Sequence, residues 1–111
     1  MKKKLFQNYE FEFDKNESKI ISSFAKQAMK QMETDDRLVK EVRIFNSIIY
    51  KLNSNQDKVK LTKEEKTKLL FQLKENVKHL QSKVDKAWFL TKWFYKNMLN
   101  QYQSVIYKLN S

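Results

Sequence analysis

The chain contains no glycine and no proline in 111 residues, and this double absence constrains its fold more than anything it does contain. Glycine accepts the positive φ of tight turns and bulges, whereas proline stiffens loops and interrupts helices. A chain that uses neither is expected to wind mostly into helix, joined by short links that ordinary residues tolerate. The expected class is all-α: an antiparallel four-helix bundle of two αα-hairpins, with an extended aromatic N-terminal arm.

Hydrophobic residues make up 41% and aromatic residues 14% of the chain, enough for a single helical-bundle domain over residues 1–111. Chains of this length bury roughly two-thirds of their unfolded surface. The 32% charged content and mean hydropathy of −0.79 would point to disorder if the apolar residues were scattered. They recur instead at helical spacing.

Residues 1–14 form the arm, in which Tyr9, Phe11 and Phe13 alternate with Glu10 and Glu12, the period of an extended segment with one aromatic face. Asp14 with Glu17 has capping-box spacing and starts a helix over 15–33. Ile20, Ile21, Phe24, Ala25, Ala28 and Met32 lie on one stripe of it, with Lys15, Lys19, Lys26 and Lys30 on the opposite side. Thr34, Asp35 and Asp36 restart the chain into a second helix over 37–52, with Leu38, Val42, Phe45, Ile49 and Leu52 as its seam. Residues 53–60 read as a polar link. Thr62 and Glu65 repeat the capping-box spacing before a third helix, 63–83, striped by Leu69, Leu70, Leu73, Val77, Leu80 and Val84. A fourth helix is expected over 86–108, although nothing near Ser82 or Asp85 forbids one continuous helix.

Ser47-Ile48-Ile49-Tyr50-Lys51-Leu52-Asn53-Ser54 recurs 57 residues later as Ser104-Val105-Ile106-Tyr107-Lys108-Leu109-Asn110-Ser111. At the same offset Phe45 aligns with Tyr102, Val42 with Leu99 and Ile20 with Val77. The two readings are a duplicated helical hairpin and a coincidence within a Lys/Asn/Ile-rich composition.

The missing residue types exclude much chemistry. Without glycine there is no phosphate-cradling Gly-rich loop, and with no cysteine there is no disulfide framework, thiolate nucleophile or cysteine-ligated metal. The one histidine, His79, has Glu75 a turn before it, but the second Glu-x-x-His and the further carboxylates of a di-iron bundle are missing. Asp35/Asp36 and Glu64/Glu65 sit in first turns of helices, where capping and the helix dipole account for them. No catalytic residue, metal or cofactor is expected, and the chain reads as a non-enzyme.

Charge is unevenly placed. The net +10 divides into +2 for residues 1–57, with eleven basic and nine acidic side chains, and +8 for residues 58–111, with twelve and four. The fourth helix has a stripe of Trp88, Tyr95, Met98, Leu99, Tyr102, Val105, Ile106 and Leu109, which leaves Phe89, Leu90 and Trp93 on other faces. Two covers are available: the aromatic arm folded across this helix, or a partner.

The leading expectation is a small intracellular protein-interaction module, with Phe89 and Trp93 as apolar anchors and Lys86, Lys92 and Lys96 as a basic rim. Its partner is another protein or a second copy of the chain. The alternative is a nonspecific nucleic-acid-binding accessory protein using Lys66, Lys74, Lys78 and Lys83. A weaker one is association with an anionic membrane surface. No apolar run reaches the length of a membrane span and no signal core follows Met1-Lys2-Lys3-Lys4, so a cytoplasmic location is expected.

Overall fold

The alternation of Tyr9 and Phe11 with Glu10 is answered far along the chain by Val59 and Leu61 alternating with Lys60 and Thr62. In the computed structural model, which describes residues 8–54, 58–86 and 89–110 (side chains 8, 84–86, 89–91, 93 and 94 excepted), these segments form strands. They are β1 (Asn8–Phe11) and β2 (Val59–Thr62), paired antiparallel. Tyr9 faces Leu61, Phe11 faces Val59 and Glu10 faces Lys60. One side is therefore apolar, while Lys60 Nζ lies 3.8 Å from Glu10 Oε2 on the other. A one-residue slip would reverse both faces, so the pattern fixes the register.

Between the strands run α1 (Lys15–Met32), a single 3-10 turn (Asp36–Leu38) and α2 (Val39–Leu52). Beyond β2 come α3 (Lys63–Lys86) and α4 (Phe89–Asn110). The described residues are thus mostly helical, with four α-helices and one small sheet. No helix among them is long and apolar enough to cross a membrane.

Local chemistry explains the boundaries. Asp14 Oδ1 accepts the Glu17 amide at 2.7 Å and Glu17 Oε1 accepts the Asp14 amide at 3.0 Å, completing the capping box of α1. Asp35 Oδ1 caps the 3-10 turn through the Arg37 amide at 2.9 Å, and the Arg37 guanidinium closes a fork on the same carboxylate. That bond, with the Arg37 amide, holds the Asp35 carboxyl below its ordinary value and raises Arg37. The second helix therefore opens with a turn of 3-10 and becomes α-helical only at Val39.

Contacts divide the chain into two compact units, Met1–Leu69 and Leu70–Ser111. In the first, α1 packs on α2 and β2 packs on α2. Ile21, Phe45, Ile48, Leu61 and Leu69 are essentially inaccessible, with Phe11, Phe24, Ala25, Met32, Ile44, Ile49 and Val59 also buried. Full burial of one such large side chain contributes roughly 1.5–3 kcal/mol. In the second unit the buried apolar residues are Leu73, Val77 and Leu80 of α3 and Val105 and Leu109 of α4. Lys83 Nζ of α3 lies 6.0 Å from the centre of the Tyr95 ring of α4.

Three expectations need correction. Residues 53–60 are not a link throughout, because β2 begins at Val59. Residues 8–11 of the arm hydrogen-bond to β2, so this part of it is a strand of a sheet within the first unit and not a lone extended segment, while residues 1–7 lie outside the described residues. On α2 the buried positions are Ile44, Phe45, Ile48 and Ile49, whereas Leu38, Val42 and Leu52 are only half-buried. Both α1 and β2 lie on α2, and two neighbours cover a broader arc than one seam.

Candidate binding surfaces

The only charged side chain buried among the described residues is Glu65. As the third residue of α3, it completes a capping box: its amide donates to Thr62 Oγ1 at 3.1 Å, and Oε1 accepts the Thr62 amide at 2.9 Å. The same carboxylate reaches α2, accepting Ser47 Oγ on Oε2 and Lys51 Nζ on Oε1, each at 2.6 Å. Burial pushes the Glu65 carboxyl up, but the bonds from Lys51, Ser47 and the Thr62 amide outweigh it and leave the group below its ordinary value. A carboxylate held by three donors is a clamp between elements. Sequence signalled the cap; nothing in it connected Ser47 and Lys51 to this residue.

Around the clamp, Lys68 Nζ lies 3.1 Å from Glu41 Oε2 and Lys40 Nζ 3.1 Å from Glu64 Oε2. The Lys68 bond lowers the Glu41 carboxyl. Such exposed or half-exposed pairs contribute little, because water screens them.

The expected anchor positions lie at the start of α4, with Lys86 the last residue of α3. The side chains of Lys86, Phe89 and Trp93, and all of Trp88, lie outside the described set. Lys92 is half-buried and Lys96 exposed. At about 100° per residue, positions 89, 93, 96, 100, 103 and 107 fall on one line along α4. Its described members, Lys96, Asn100, Gln103 and Tyr107, are all exposed, the Tyr107 residue to 79%. The aligned positions of α2 repeat this: Val39, Arg43, Asn46 and Tyr50 are exposed, Tyr50 to 77%. Ile48 and Val105, also aligned, are both fully buried.

The lysines of the nucleic-acid reading are not brought into one row. Lys66, in the first unit, sits with its Nζ 4.3 Å from the Tyr9 ring centre. Lys74 is exposed, Lys78 Nζ is 3.5 Å from Glu75 Oε2, and Lys83 faces Tyr95. Lys74 and Lys83 are nine residues apart, about 180° around the helix. His79 is exposed, and no group of three or more His, Asp or Glu among the described residues could hold a metal ion.

A different row does form. Lys15, Lys19, Lys26 and Lys30 of α1 are all exposed, and none has an ion-pair partner among the described residues. By contrast Glu10, Asp35, Glu41, Glu64 and Glu65 are each paired with a cation. Two clefts flank the row, one of about 310 Å³ lined by Ser18, Lys19, Ser22, Ser23, Lys26 and Asn53. The other, of about 540 Å³, shares Ser23 and Lys26 and adds Gln27, Met29, Lys30, Asn46, Ile49 and one carboxylate, Glu33.

No family model, no curated protein and no solved structure matches this chain.

Proposed function

We propose that the protein is a non-catalytic interaction module that binds a protein partner through the outward line of α4. The line begins at Phe89 and Trp93, is rimmed by Lys86, Lys92 and Lys96, and ends at Tyr107. The observation that supports this reading is the exposure of its described members, with a tyrosine 79% accessible at its end. Tyrosine and tryptophan supply much of the energy of protein interfaces, because a rigid ring contributes a large apolar area at small entropic cost. The polar side chains between the two ends, Asn100 and Gln103, suit the hydrogen-bonding rim of such a contact.

Site-specific photo-crosslinking tests it. A benzophenone amino acid at 93, 103 or 107, in the full chain expressed in its own host, should yield one adduct of the same mass at all three positions. The same group at Lys74, on α3, should not. Trp93→Ala combined with Tyr107→Ala should abolish the adduct at 103 while the far-ultraviolet circular dichroism stays unchanged. Absence of an adduct, or an identical pattern at Lys74, would reject the reading.

A further inference from the structure

The lysine row belongs to α1 of the first unit, a different element from the α4 line used above, and stands on observations of its own. Lys15, Lys19, Lys26 and Lys30 fall within an arc of about 60° and extend over about 22 Å of helix axis. Ammonium groups this close repel one another and gain nothing from the fold. The first unit satisfies most of its described carboxylates internally and leaves these four cations, like Arg43, Lys58 and Lys63, without an ion pair among the described residues, but only the four on α1 share one face of a helix. Asp14 and Glu17 are spent on each other's amides in the cap. Only Glu33, the C-cap residue, lies in line with the row, and it sits at the far end.

In the gap of the row, between Lys19 and Lys26, the chain places Ser22 and Ser23. Ser22 is only 7% exposed yet lines the smaller cleft with Ser18, Ser23 and Asn53. No carboxylate lines that cleft among the described residues. Hydroxyl and amide donors beside the gap between two pairs of ammonium groups form a surface for a line of oxyanions.

We propose that this face of α1 binds the phosphate backbone of a nucleic-acid strand. Lysine, serine and asparagine are side chains that contact phosphate and sugar without reading sequence. A strand within a duplex places a phosphate every 3.4 Å or so of axis, the densest case, so the row meets at most about six phosphates. The row carries no aromatic anchor of the kind a peptide interface is built on, and with lysine in place of arginine it acts by point charges and not by a bidentate fork. An acidic polypeptide is therefore the poorer occupant. Without stacking rings the binding is indifferent to base identity.

The test is the salt dependence of binding by the full chain to a fluorescein-labelled oligothymidylate, read by anisotropy. If four lysines neutralise phosphates of a single strand, replacing them as K15Q/K19Q/K26Q/K30Q should flatten the slope of log K against log salt by about 3. A variant of equal net charge, K40Q/K58Q/K60Q/K63Q, should leave the slope close to that of the parent. K15R/K19R/K26R/K30R should bind like the parent, which separates loss of charge from loss of structure. Equal flattening in both glutamine variants would show that the charge acts diffusely and overturn the assignment. An unchanged slope in the α1 variant would also overturn it, as would competition by poly-glutamate as strong as that by unlabelled oligothymidylate.

Discussion

Ser47 and Glu65, 18 positions apart, are joined by a hydrogen bond of 2.6 Å, donated by the Ser47 hydroxyl to Oε2. With Lys51 on the other oxygen, it fastens the start of α3 to α2. The cap that begins one helix is thereby also a tie to the helix before it.

Glu65→Gln should therefore destabilise the protein by about 2 kcal/mol, because it leaves Lys51 without its counter-charge and mismatches one donor in a partly buried site. Urea unfolding should show a lower midpoint at an unchanged slope. Ser47→Ala removes one bond only and should cost about 1 kcal/mol.

Acid should reproduce this loss. The folded-state pKa of Glu65 lies below its ordinary value of 4.5, and those of Glu41 and Asp35 lie below theirs of 4.5 and 3.8. Each contributes stability that is complete above the unfolded pKa and lost as pH falls through the folded one. Stability should be flat above about pH 5 and decline below it. Glu65→Gln should show a shallower decline than the parent when urea midpoints are compared at stepped pH.

Phe11 is 7% exposed and faces Val59 across the sheet. Phe11→Ala should cost about 3–5 kcal/mol and speed hydrogen exchange at the β2 amides. Exchange protection that persists in β2 after this substitution would contradict the pairing.

Aligned positions of the repeat should respond alike. Tyr50→Ala and Tyr107→Ala each remove an exposed ring and should change stability by less than about 0.5 kcal/mol. Ile48→Ala, at a fully buried site, should cost about 2–5 kcal/mol, with Val105→Ala unfavourable for the same reason. A large effect at either tyrosine would mean that its ring is covered in solution.

The sequence revealed the helices because caps and apolar stripes are local signals. Asp14 with Glu17 and Thr62 with Glu65 each form the reciprocal bonds that their spacing implies. The strand at Val59–Thr62 is four residues long, and its period-two pattern was masked by the polar residues before it. Its partner lay beyond any local window, and so did Ser47 and Lys51 as partners of Glu65. The row on α1 was visible as the outward side of a helix. What the sequence could not supply was that these lysines stay unpaired while carboxylates elsewhere find partners, since that depends on which elements meet.

The sheet also sets a schedule. Phe11 must wait for Val59, 48 positions later in synthesis, which at ribosomal rates of 5–20 residues per second is about 2–10 s. Throughout that interval an aromatic edge is available to any neighbouring nascent chain. Closing so distant a pair carries a loop-entropy cost that the intervening helices must first reduce by folding. Slower translation just before Val59 would lengthen the exposure.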